Sequence, residues 1–264
     1  MLSVIWLITA LGASAQSPSM GQTGPNQLQP AADTSASVNE SASNGRRAVV
    51  TEEMRADILM ARKRYWEAIE KYQAIRPETP SLDNKIGIAY HQLLQLGPAR
   101  KYYLRALKLD GKYPEAINNV GTVYYGQKSY GRAIKQYKRA LKLSPDSASI
   151  YSNLGTAYFA RHKYNDAFDA YQRAMTLDPD VFEHRNAYGV LLQERNVDDL
   201  ATFHFYMAKV YAKQGVQDRA LLYIRKALEE GFKDRARLVG DPEFSGLQKV
   251  PEFQQLLALQ PRVL

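Results

Sequence analysis

The chain contains no cysteine. That absence excludes a disulfide framework, a thiol nucleophile and a lipid anchor on a cysteine. Histidine is nearly as scarce. His91, His162, His184 and His204 are scattered, and none falls in an HExxH or comparable metal-ligand spacing. Neither a G-x-S-x-G elbow nor a phosphate-binding P-loop occurs. The adjacent acids Asp198-Asp199 and Glu229-Glu230 read as helix-end charge or solvated surface. These absences predict a chain that is not an enzyme and carries neither a metal nor a cofactor. Long apolar runs are lacking too, with one exception. Leu2 to Ala13 are almost wholly apolar, and the small-x-small pattern Ala13-Ser14-Ala15 follows. Residues 1–15 therefore read as a signal peptide, although a positive segment before the run is missing. The run is short for a bilayer span, and an uncleaved anchor is the alternative. Residues 16–48 are poor in apolar side chains and rich in Ser, Gln, Asn, Ala, Pro and Gly. Such a stretch cannot bury enough surface to fold and reads as a disordered linker.

What is present is a ruler. Gly87, Gly121, Gly155 and Gly189 stand 34 residues apart. Other positions move with them. Tyr90, Tyr124 and Tyr158 follow three residues on, and Ala99, Ala133 and Ala167 follow twelve on. Tyr103, Tyr137 and Tyr171 come at sixteen, and Ala106, Ala140 and Ala174 at nineteen. A fixed period in the 20–50 range marks stacked repeats that each bury their apolar face against a neighbour. Apolar positions such as Ala133, Ile134, Tyr137, Ala140 and Leu141 fall at helical spacing. Pro145 and Pro179 end the second helix of their units. The small residues let the two helices of a unit approach. The tyrosines are expected to fill the space between units.

These offsets resemble the tetratricopeptide (TPR) repeat. The resemblance is carried by NVGTVYYGQKSYGRAIKQYKRALKLSP and NLGTAYFARHKYNDAFDAYQRAMTLDP. It implies an all-α chain folded as a right-handed α-solenoid of helix–turn–helix units. Regular units are expected at 80–113, 114–147 and 148–181. RYWEAIEKYQAI (64–75) reads as the second helix of an earlier unit, joined to the next by a link three residues short that holds Pro77 and Pro80. After Gly189 the ruler breaks, leaving a half-unit at 182–200. A fifth unit restarts near Ala201, with Ala208, Tyr211, Ala220 and Ala227 in register. The solenoid is expected over 49–234. Residues 235–264, with DPEF and VPEF ten residues apart, read as a helical cap.

TPR arrays bind along a concave groove lined by their first helices, and the resemblance maps that groove onto named residues. One row reads Asn84, Asn118, Ser152 and Asn186. The next reads Lys85, Asn119 and Asn153, with Ala187 breaking it. A third contributes Thr122 and Thr156, and a fourth His91, Tyr125 and Phe159. An asparagine amide can pair with any peptide backbone, and aromatic rings supply apolar anchors. The plainer reading is that these groups serve helix packing. The carboxylate clamp of chaperone-binding TPR proteins is not reproduced, since Asn84 and Ile88 stand where it needs Lys and Asn.

The net charge is +8, and it lies beyond residue 48, because Asp33 and Glu40 cancel Arg46 and Arg47. A basic balance favours acidic partners. Much of it sits on second helices, at Lys101, Arg105, Lys108, Lys135, Lys138, Arg139, Lys142 and Arg173, where it reads as a solvated outer face. Nucleic acid is disfavoured by the export signal and by the absence of a reader motif. The expectation is a periplasmic or secreted scaffold of a Gram-negative envelope that holds a protein or peptide in its groove. The alternative is an anionic polysaccharide or envelope-surface binder acting through the basic convex face.

Overall fold

A computed structural model describes residues 51–182 and 199–258. The expected signal peptide, the linker, most of the half-unit at 182–200, and Asn186 lie outside the described residues. Within them every regular element is a helix, and ten of these helices form five consecutive pairs. The pairs are α1 (Glu52–Ala61) with α2 (Tyr65–Ala74), α3 (Pro80–Gln92) with α4 (Leu96–Leu109), and α5 (Pro114–Gly126) with α6 (Tyr130–Leu143). Then come α7 (Ala148–Phe159) with α8 (Tyr164–Leu177), and α9 (Leu200–Lys213) with α10 (Gln217–Glu229). Two short helices, α11 (Arg235–Gly240) and α12 (Pro251–Ala258), flank a 3-10 turn at Pro242–Leu247.

Local chemistry sets the helix starts. Thr51, Thr79 and Asp199 cap α1, α3 and α9 by accepting the amides of Met54, Leu82 and Thr202. Pro80, Pro114 and Pro251 occupy first helical turns, where no amide is needed. The turn inside each pair repeats as well. Lys63, Leu94, Lys128 and His162 take positive φ (60°, 60°, 55° and 57°), and Gly215 takes the same place before α10. The next residue then returns its amide to a carbonyl five residues back, as Ser129 does to Tyr124 and Lys163 to Tyr158. This closing bond satisfies a carbonyl at the helix end. It folds the chain sharply enough to start the second helix two residues later.

Within a pair, a tyrosine ring lies on the glycine of its own unit. A β-carbon on Gly87, Gly121 or Gly155 would fall 2.4, 2.6 or 2.6 Å from a ring carbon of Tyr103, Tyr137 or Tyr171. This corrects one expectation. The tyrosines sixteen residues after the glycines fill the space inside a unit, and all three are buried. The row three residues after the glycines does lie between units. Tyr90 meets Trp66 of the preceding unit edge-on, and Tyr124 lies under Arg100 of the preceding unit.

First helices of consecutive units pack on one another, α3 on α5 and α5 on α7. Each second helix packs on the first helix that follows it, through to α8 on α9. The first helices thus form an inner layer and the second helices an outer one. The stack continues directly from the fourth pair to the fifth. Phe203 of α9 meets Phe159 and Tyr171, and Gln172 donates to the Val210 carbonyl at 2.9 Å. At its C-terminal end Phe205 stacks on Phe232 (4.4 Å) and abuts Phe244, which packs on Phe253. Lys209 pins this end by pairing with Asp241 (3.1 Å) and Glu243 (3.2 Å).

Candidate functional site

The asparagines of the inner layer form one hydrogen-bonded chain that runs across three units. Asn153 on α7 donates its amide to Asn118 Oδ1 on α5 (3.1 Å). Asn118 donates to Asn119 Oδ1 (3.2 Å), and Asn119 donates to Asn84 Oδ1 on α3 (2.9 Å). All four side chains are buried, Asn119 and Asn153 completely. The sequence period explains the geometry. Residues 34 apart occupy equivalent places on adjacent first helices, so each amide meets the one 35 residues before it across the interface. A buried amide without partners would cost about 1–3 kcal/mol. Pairing removes that cost and sets the register of neighbouring units.

The remaining predicted residues divide into closed and half-open. Thr122 and Thr156 turn their hydroxyls back onto the carbonyls of Asn119 (2.8 Å) and Ser152 (3.1 Å). Tyr171 donates to Thr156 Oγ1 (3.1 Å). Ser152 is buried with them. Tyr125 packs on Tyr130, and Phe159 on Tyr164 and Phe203. The expectation that Asn84, Asn118, Asn119, Thr122, Tyr125, Ser152, Asn153, Thr156 and Phe159 line an open groove is therefore corrected. These residues are interior: the asparagines and aromatic rings meet partners on neighbouring helices, the threonines bond carbonyls of their own helices, and Ser152 is buried with them. Among the described residues of the predicted set, Lys85 and His91 alone are half-open. Lys85 bridges to Asp57 (2.7 Å) and Glu53 (2.8 Å) of the preceding unit. Burial opposes the ammonium charge, but the bonds to Asp57 and Glu53 hold its pKa above the ordinary lysine value. His91 lies beside Tyr103 with its Nδ1 buried and unbonded, and burial lowers its pKa to about 4.

One feature escaped the sequence reading. A cleft of about 200 Å³ opens between the first two pairs, bordered by Tyr72, Gln73, Arg76, Tyr102 and Arg105. Arg105 contacts Glu78 (2.7 Å) and the buried Asp83 (3.4 Å) there. Burial raises the Asp83 pKa, and Arg105 works against that rise. The short link with Pro77 and Pro80 was the available signal, since a shortened link changes how two units meet. The lining holds two arginines, Arg76 and Arg105, and two acids, Glu78 and Asp83, so its formal charges balance. Among the described residues no group of three or more His, Asp or Glu could hold a metal ion.

Residues 121–161 match the family model described as TPR repeat, and residues 148–181 match that of the tetratricopeptide repeat. Residues 121–181 are thus tetratricopeptide repeats, and the helix pairs form an all-α TPR solenoid. No curated protein matches it. Among solved structures it is similar to MamA (21% identity, 66% of this chain and 93% of that one, TM-score 0.44). It is also similar to MamA 41-end from Desulfovibrio magneticus RS-1 (19%, 68% and 92%, TM-score 0.46). A third similar structure is YrrB, described as a TPR protein with an unusual peptide-binding site (20%, 49% and 68%, TM-score 0.42).

Proposed function

We propose that this chain is a non-enzymatic scaffold for protein–protein contact that works in the bacterial cell envelope, in the periplasm or outside the cell. The observation that supports the scaffold reading is the repeat stack itself. Five helix pairs join by side-chain contacts from one unit to the next, which builds an extended surface. The envelope reading rests on the apolar run at Leu2–Ala13 and the small-x-small pattern after it. The partner is a protein or peptide, and the basic balance of the chain favours an acidic one.

The closed asparagine chain restricts how a partner is held on the inner layer. Its amides are taken by one another, so contact falls to the half-open residues beside it, Lys85 and His91. Photo-crosslinking residues placed at 85 and 91 test this in cells expressing the full chain. A discrete adduct with one protein at either position, recovered from the envelope fraction, is the expected result. Absence of a protein adduct at both positions would overturn the assignment of the inner layer. Recovery of the adduct only from the cytoplasmic fraction would overturn the envelope reading.

A further inference from the structure

The outer helices α4 and α6 are charged with one sign only. They carry four and five basic residues respectively, and no acidic residue. The arginines have internal work. Arg100 and Arg132 cover the Tyr124 ring, Arg105 pairs with Glu78, and Arg139 donates to the Gly111 carbonyl at 2.9 Å. Lys138 lies over the Tyr158 ring. Four lysines are left with no acidic partner among the described residues, namely Lys101, Lys108, Lys135 and Lys142, and all four are exposed.

Their placement is regular. Lys101 and Lys108 are seven residues apart on α4, so they share a face about 10 Å apart along the axis. Lys135 and Lys142 repeat that spacing on α6, each 34 residues on. The pattern stops at both sides. Glu70 stands in the register of Lys101 on α2, and Asp169 and Thr176 stand in the registers of Lys135 and Lys142 on α8. Exposed leucines accompany the lysines: Leu104 lies between Lys101 and Lys108, and Leu109 and Leu143 each follow a lysine.

We infer that this two-helix face docks onto an anionic lipid surface. A flat surface needs only two neighbouring helices of the outer layer to rest on. Among the outer helices the unpartnered lysines are confined to α4 and α6, while Glu70 on α2 and Asp169 and Thr176 on α8 stand in their registers. A long flexible polyanion could follow the layer further and would favour charge that continues along it. The exposed leucines fit the same occupant, because apolar side chains beside lysines enter the headgroup boundary of a bilayer. Lysines near an anionic leaflet attract it through its surface potential, and the attraction is screened by salt.

The test is co-sedimentation of the full chain with vesicles of phosphatidylcholine, with or without one-third phosphatidylglycerol. Wild type is compared with a chain carrying Lys101→Ala, Lys108→Ala, Lys135→Ala and Lys142→Ala. A control chain carries Arg62→Ala, Lys71→Ala, Lys233→Ala and Lys249→Ala, which removes equal charge elsewhere on the exposed surface. All three carry the apolar run at Leu2–Ala13, so any insertion through that run is common to them. Wild type and control are expected to bind the anionic vesicles, more weakly in 0.3 M salt than in 0.05 M. The four-lysine variant should bind about a hundredfold more weakly or worse, with unchanged circular dichroism. Equal binding by the four-lysine variant, or equal loss in the control, would overturn the proposal. So would wild-type binding that is the same on neutral vesicles. Binding to soluble polyglutamate without binding to anionic vesicles would assign the face to an acidic protein instead. None of these outcomes depends on the inner layer, so the scaffold reading stands or falls separately.

Discussion

The tightest points of the protein are single residues. Gly121 has no room for one more carbon, since a β-carbon would meet the Tyr137 ring at 2.6 Å. Tyr137 is fully buried and cannot swing aside. Gly121→Ala is expected to cost about 2–3 kcal/mol by overpacking, read as a lower urea midpoint with an unchanged slope. Leu94 is the opposite case. It holds φ at 60° and is 84% exposed, so its side chain gains little while its backbone is strained. Leu94→Gly is expected to stabilise by about 0.5–1 kcal/mol, by relieving the left-handed conformation. His91 carries a pH signature. Burial holds its pKa near 4, below the ordinary 6.5, so the unfolded chain binds the proton more readily. Stability is then complete above pH 6.5 and falls as pH drops from 6.5 towards 4, by up to about 3 kcal/mol. Unfolding followed across that range should flatten in His91→Gln, and an unchanged slope would assign the acid sensitivity to other groups.

Among elements, the inner helices are joined by polar bonds as well as by apolar packing. The asparagine chain couples α3, α5 and α7, so a change in one helix is felt in the next. Asn119→Ala removes the donor to Asn84 and the acceptor of Asn118, and should cost about 2 kcal/mol. A double-mutant cycle with Asn84→Ala checks this, because coupled sites are non-additive. Combined replacement of Asn119, Tyr125, Asn153 and Phe159 should unfold the array rather than merely prevent partner capture. Circular dichroism of that variant decides the point, and a fully helical spectrum with a normal melting temperature would contradict the interior placement.

At the scale of the whole molecule, each unit depends on its neighbours, and the last depends on α11, the 3-10 turn and α12. Phe205, Phe232, Phe244 and Phe253 form one aromatic group across that boundary. Ending the chain at residue 234 exposes the Phe205 side of α9 and removes both acids that face Lys209. Hydrogen exchange of such a chain should show α9 and α10 losing protection first, with α5 and α6 retaining it. Uniform loss across all pairs would mean the stack unfolds as a single unit. Repeat arrays allow the graded result because most contacts run between adjacent units.

Much of this architecture was legible from residue order alone. Helix pairing, the 34-residue register and the close glycine contacts follow from local spacing, which the chain carries regardless of its surroundings. The place of each turn is local in the same sense, since one residue with positive φ and one returning amide define it. What a side chain faces is not local. The spacing of Asn84, Asn118, Asn119 and Asn153 was visible, but their amides could have met a peptide or one another. Only the packing of α3, α5 and α7 decided between these, because the partner of each amide lies 35 residues away or on the adjacent residue. The same holds for the lysines of α4 and α6. Their number was written in the sequence, but packing decided that the arginines beside them are engaged and that four lysines face solvent with no acidic partner among the described residues. Charge is a property of the residue, whereas its compensation is a property of the fold.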